Sequence, residues 1–181
     1  MRVQSFFGAG IALGTVMAVA SVAHAEAPYV EGAATLCPAA LSGQAEDAGL
    51  AIHEGPIANP FGETAYAGTW NGAPVVVTVG DQFGNALCEV HVPDATADDY
   101  AAVQAALVAQ YGADGTIYDK PDGAFGYRGE TWADSEAVEN GTIPELTFGD
   151  MPMTMVMIQY AAEPFAQTND RAGLLLQLMG R

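Results

Sequence analysis

Between Ala86 and Val92 the side chains alternate, with Ala86, Cys88, Val90 and Val92 on one face of an extended chain and Leu87, Glu89 and His91 on the other. A period of two is the spacing of a β-strand, so the segment predicts a strand with Cys88 turned toward the core. Upstream, Thr64 to Trp70 and the β-branched run from Pro74 to Val79 flank Asn71-Gly72, a dipeptide that tolerates the two positive φ angles of a type I′ turn. Asp81-Gln82-Phe83-Gly84-Asn85 reverses the chain again. An antiparallel meander is therefore expected from Thr64 to Val92.

The period lengthens after Thr96. Thr96 and Asp99 have the spacing of a capping box, and Tyr100, Val103, Leu107 and Tyr111 then recur at helical intervals up to Gly112, which predicts a helix over Ala97 to Tyr111 lying across a sheet. A shorter helix is expected around Ala39 to Ala48, ended by Gly49, and Gly55 to Glu63 reads as a loop with two prolines and two glycines. Beyond the long helix, Thr116 to Asp119 and Phe125 to Trp132 read as strands around the Asp119-Lys120-Pro121-Asp122-Gly123 turn. Ala133 to Asp150 is acidic and turn-rich, Met153 to Tyr160 is a strand, and the tail from Pro164 ends in a short helix near Leu174 to Met179. The expected fold is α+β: an antiparallel sheet with helices packed on one face, arranged as two helix-plus-three-strand units without residue-level similarity between them.

The first 25 residues read differently. Met1-Arg2 gives a cationic start, Phe6 to Val22 is uncharged, and Ala23-His24-Ala25 has the small-x-small form that a signal peptidase accepts, so residues 1–25 are expected to be an export signal and 26–181 a single exported domain. The residue after the cut is Glu26, which offers no cysteine for a lipid anchor, so the expected location is the periplasm or the medium without a membrane attachment. In such an oxidising compartment Cys37 and Cys88 are expected to form a disulfide; thiol chemistry or a metal site is the competing use of the pair.

Charge narrows the partners. The chain has 22 acidic residues against five Lys and Arg, a net charge of −17, and signal removal takes only Arg2, leaving −18. Nucleic acid and anionic membranes need clustered basic side chains and are excluded as partners, whereas a basic protein or cationic ligand is favoured. A hydrophobic content of 50% is sufficient for a packed core and speaks against disorder.

The usual catalytic signatures are missing. Ser42 and Ser135, the serines downstream of the leader, sit in no nucleophile elbow, and Lys120 lies in a turn rather than a phosphate loop. His53-Glu54 begins like a zincin helix but has Ile57 where the second histidine would stand. His91, beside Glu89, is expected on a solvated outer face. Asp98-Asp99 suits a helix N-terminus, Asp119 and Asp122 suit a turn, and Asp134, Glu136 and Glu139 suit a solvated loop. Carboxylate-based hydrolysis stays open, because it is geometry that decides it. In Met151-Pro152-Met153-Thr154-Met155-Val156-Met157 the alternate methionines are expected on one strand face, with core packing, an adaptable contact surface and Cu(I) ligation as the three uses.

The order of elements, with Cys37 in the first helical segment and Cys88 in the third strand, resembles small exported bacterial proteins built from tandem helix-plus-three-strand units, of the β-lactamase inhibitor protein and PepSY types. It is also similar to a group of uncharacterised alphaproteobacterial periplasmic proteins. The likeness covers residues 26–181 loosely and transfers no functional residue. The expected function is a non-enzymatic binding or inhibitory module for a basic protein or cationic ligand, with a carboxylate-based periplasmic hydrolase as the alternative and no cofactor or metal site. Trp70 at the hairpin and Tyr127 or Trp132 near the second turn are the candidate contact residues, each with core packing as its competing role.

Overall fold

A computed structural model describes residues 28–54, 63–82, 84–111, 127–133, 147–148, 151–164 and 171–180. The expected export signal at 1–25, the expected strand Thr116 to Asp119 and the acidic groups at 119–122 and 134–139 lie outside the described residues. The fold is α+β. Its elements run α1 (Pro28–Leu41), a short 3₁₀ turn (Glu46–Ala48), β1 (Ala51–Ile52), β2 (Thr64–Trp70), β3 (Ala73–Gln82), β4 (Asn85–Val92), α2 (Ala97–Tyr111), β5 (Tyr127–Ala133), β6 (Thr147–Phe148), β7 (Met151–Ala161) and β8 (Gly173–Gly180). Every described strand pairing is antiparallel, in the order β1-β2-β3-β4-β8-β7-β5, with β6 paired to β7 off this path.

Local chemistry explains the elements that follow expectation. Asn71 and Gly72 take φ of 48° and 84°, and Trp70 pairs directly with Ala73, as a type I′ hairpin requires. At the start of α2 the backbone N–H of Thr96 donates to Asp99 Oδ2 at 2.7 Å, and that of Asp99 donates to Thr96 Oγ1 at 3.3 Å. This reciprocal cap satisfies donors that the first helical turn leaves without partners.

The first helix lies earlier than the sequence pattern suggests. It begins at Pro28, where the missing N–H costs nothing, and buries Gly32, Leu36 and Ala40 every four residues with Ala33 and Cys37 beside them. Gly43, at φ 75°, stops it: the amides of Ser42, Gly43 and Gln44 turn back onto Pro38, Ala40 and Ala39 carbonyls. The glycine expected inside a helix is thus its terminator, and Ala45 to Gly49 form a separate turn.

The tail is a second correction. Gly173–Gly180 is not a helix but the strand β8, lodged between β4 and β7. Leu174, Leu176 and Leu178 join the core while Leu175 buries on the opposite face. A strand flanked on both edges and apolar on both faces overrides the helical propensity of leucine, since each leucine so buried contributes roughly 1.5–3 kcal/mol.

One hydrophobic cluster unites both helices with alternate strand residues: Leu36 and Cys37 of α1, Tyr100, Val103 and Leu107 of α2, Val75 and Val77 of β3, Val90 of β4, Ile158 of β7 and Leu176 of β8. The disulfide Cys37–Cys88, with a Cα–Cα distance of 5.8 Å, fastens α1 to β4 inside it. Among the described residues no helix is long and apolar enough to cross a membrane.

The methionines do not share a face. A bulge between Met153 and Met155 puts Met153 opposite Gly180 and Met155 opposite Met179, with an extra residue between. Met153 therefore enters the core cluster, whereas Met155 and Met157 belong to the opposite face with Met179 and Gln177.

Candidate functional site

The second face of the sheet, away from the helices, is built from directly opposed positions. One row across the strands runs Ala65, Thr78, Glu89, Gln177, Met157 and Thr131; the next runs Leu87, Met179, Met155 and Ala133, with Gly80 opposite Leu87. This face is not the solvated surface expected from the alternation around Glu89. Leu87 and Leu175 are 1% and 4% exposed, and Thr78 and Glu89 are each 5% exposed. The expected solvated role of His91 is likewise corrected: it is half-buried, and its Nε2–H donates to the Ala172 carbonyl at 2.6 Å. Burial foremost, and the Arg171 charge, favour the neutral ring and hold the imidazole below its ordinary range, against the opposing pull of that hydrogen bond and of Glu89 toward the charged form.

Glu89 sits at the centre of this face and is fully engaged. Arg171 Nη2 donates to Oε2 at 3.0 Å and Gln177 Nε2 donates to Oε1 at 2.9 Å. A charge this deep is tolerable only with such partners.

Glu63 is different. It lies just before β2, its side chain rests over Gly80, and it is 6% exposed. Neither of its carboxylate oxygens has a hydrogen-bond partner. Burial first, then the neighbouring charge of Glu89, push its carboxyl up to about 7, with Arg171 pulling the other way. Near neutrality the carboxyl exchanges between a protonated and an ionised form, and among the described residues the cluster holds two carboxylates against one guanidinium. Chemically it accepts a proton or one additional positive charge.

The residues singled out from the sequence fall elsewhere. Trp132 is 1% exposed on the helix side, its ring 6.3 Å from that of Tyr111, so it is a core residue. Trp70 lies against α1, where a Cβ on Gly32 would stand 2.9 Å from the indole, so it packs the hairpin tip onto the helix while staying half-buried. Tyr127 pairs with Ala161 at the end of β5, and its side chain lies outside the described residues. Asp99 is used as a helix cap, and His53 is exposed beside β1. Among the described residues no three His, Cys, Asp or Glu side chains gather as metal ligands.

Glu63 and Arg171 escaped the sequence reading because one follows a loop and the other precedes the strand misread as a helix. Two signals pointed to them: Leu87 alternating with Glu89 on a supposedly wet face, and Gly80 inside a β-branched strand, the mark of a close approach. No protein-family model, curated protein or solved structure matches the chain.

Proposed function

We propose that this protein is a non-enzymatic binding module that takes a basic protein or cationic ligand after export to the periplasm or medium. The observation that carries the reading is Glu63: a carboxylate 6% exposed with no hydrogen-bond partner, in a chain of net charge −17. A cation supplies what this site lacks, and the surrounding negative field draws it in. The Cys37–Cys88 bond fits an oxidising compartment, and residues 1–25 supply the export signal. The order α1-β2-β3-β4 followed by α2-β5-β7-β8 supports the resemblance to proteins with tandem helix-plus-three-strand units.

A second reading, carboxylate-based hydrolysis, draws on the same pair, since an acid held near 7 beside an ionised carboxylate is a pattern of acid–base enzymes. Against it, both oxygens of Glu89 are already occupied by Arg171 and Gln177. Calorimetric titration with a lysine-rich and a glutamate-rich peptide, at low and high salt, separates the readings. The basic peptide alone is expected to bind, more weakly at high salt. Failure to bind any cation, together with glycosidase activity lost in Glu63→Gln, would favour the hydrolase.

A further inference from the structure

We propose that Glu63, with Glu89 beside it, forms a subsite for one alkylammonium group on the face of the sheet opposite α1 and α2; this rests on the binding reading above. Both oxygens of Glu89 are spoken for by Arg171 and Gln177, whereas both oxygens of Glu63 are buried without a partner. Among the described residues, the charged and titratable groups facing the pair are Arg171, engaged with Glu89, and His91, held below its ordinary range by burial and hydrogen-bonded to Ala172. From β3 the site meets Gly80 and Thr78, neither of which carries charge. Among the described residues one negative charge is left over, which matches a monovalent ligand.

The chemistry of the surroundings selects an ammonium on a carbon chain. A divalent metal needs several oxygen ligands, and the described residues bring no third acidic group to the pair. A guanidinium is a broad planar fork, while an ammonium is a compact point charge with three donors and suits a site this closed. One strand beyond Glu89, about 4.8 Å in sheet geometry, lies β8, and on this same face Met179, Met155 and Met157 are half-buried. These thioether side chains offer adaptable apolar surface for methylene groups. Solvent reaches the cluster at Arg171, whose side chain keeps 21% exposure. Gly80 is integral to the site, because a Cβ there would displace the Glu63 side chain.

The group can come from a free amine or from a lysine of a partner protein. Calorimetric titration of the whole exported chain with 1-aminopentane, with N-acetyl-lysine amide and with a lysine-rich peptide distinguishes them, with 1-pentanol as the uncharged control. Both small amines binding assigns a free-amine site; binding by the peptide alone assigns a lysine of a partner. Either result supports the subsite if affinity falls about tenfold or more in Glu63→Gln and in Gly80→Ala while pentanol does not bind. Affinity should also rise from about pH 5.5 to about pH 8, as the ligand takes the place of the Glu63 proton, and this rise should vanish in Glu63→Gln. Unchanged affinity in a folded Glu63→Gln chain would overturn the subsite and leave the binding module standing. A chain that binds no cation of any kind would overturn both.

Discussion

Glu63 occupies the space that a side chain at position 80 would fill: a Cβ built on Gly80 would overlap Glu63 Cγ. The glycine therefore keeps β3 paired on both edges while a glutamate from the chain leading into β2 lies over it. Gly80→Ala is expected to destabilise the protein by about 1–3 kcal/mol through overpacking, in a double-mutant cycle with Glu63→Ala that recovers most of the loss. Gly84→Ala is the control. A Cβ there meets nothing within 4 Å, so only the cost of its φ of 82°, about 1–2 kcal/mol, applies, and Glu63→Ala should rescue none of it. Thermal or denaturant unfolding of the parent, the three single variants and the two double variants measures each effect.

The pH dependence of stability follows from the same carboxyl. Its folded value is about 7 against an ordinary 4.5, so between these the folded chain holds a proton that the unfolded chain has released. Stability from Glu63 is thus fully present below about pH 4.5 and is lost as pH rises through about 7, with roughly 3 kcal/mol as the upper bound. His91 acts in the opposite sense: its folded value is depressed, so its contribution is present above the ordinary 6.5 and lost on acidification. Glu63→Gln, which mimics the protonated form, is expected to be more stable than the parent above pH 7 and to show only the acid-side loss. Melting temperatures across pH 5 to 9 check this, and a parent chain whose stability rises through pH 7 would contradict it.

What the sequence reveals and what it hides divides along physical lines. The β2–β3 hairpin and the α2 cap are legible because their determinants are neighbours: Asn71 with Gly72, Thr96 with Asp99. Strand β8 is not, because Leu174-Leu175-Leu176 has no alternation when both faces are buried, and only its neighbours β4 and β7 define it. The Cys37–Cys88 pair is legible through cysteine count and strand alternation. The Glu63–Glu89–Arg171 cluster is not, since it is assembled from a loop exit, a central strand and the approach to the last strand, and no local pattern links them.

The bulge in β7 gives the methionines separate roles. Met153 is 6% exposed in the core, so Met153→Ala is expected to cost about 2–5 kcal/mol, and Met155→Ala, on the half-buried second face, clearly less. The bulge also takes Met153 into the core and away from Met155 and Met157, so the run of alternate thioethers at 153, 155 and 157 is broken, and Met155 and Met157 share their half-buried face with Met179 as adaptable packing. Competition against a Cu(I) chelator should therefore show no tight copper binding, and Met155→Leu should leave the result unchanged. Tight binding lost in Met155→Leu would instead assign a thioether site to Met155, Met157 and Met179.

The disulfide joins residues 51 apart in sequence and ties α1, whose buried residues are Leu36, Cys37 and the small Gly32, Ala33 and Ala40, to the central strand β4. With Leu36 as its one large, fully buried apolar side chain against Tyr100, Val103 and Leu107 in α2, this helix depends on its covalent link more than α2 does. Closing a loop of this length contributes about 4 kcal/mol on the chain-entropy model. Reduction, or Cys37→Ser with Cys88→Ser, is expected to lower stability by up to that amount, and hydrogen exchange should open α1 before α2. Thiol titration of the chain purified without reductant should find no free thiol; two free thiols, or protection of α1 that survives reduction unchanged, would show that packing alone holds this helix.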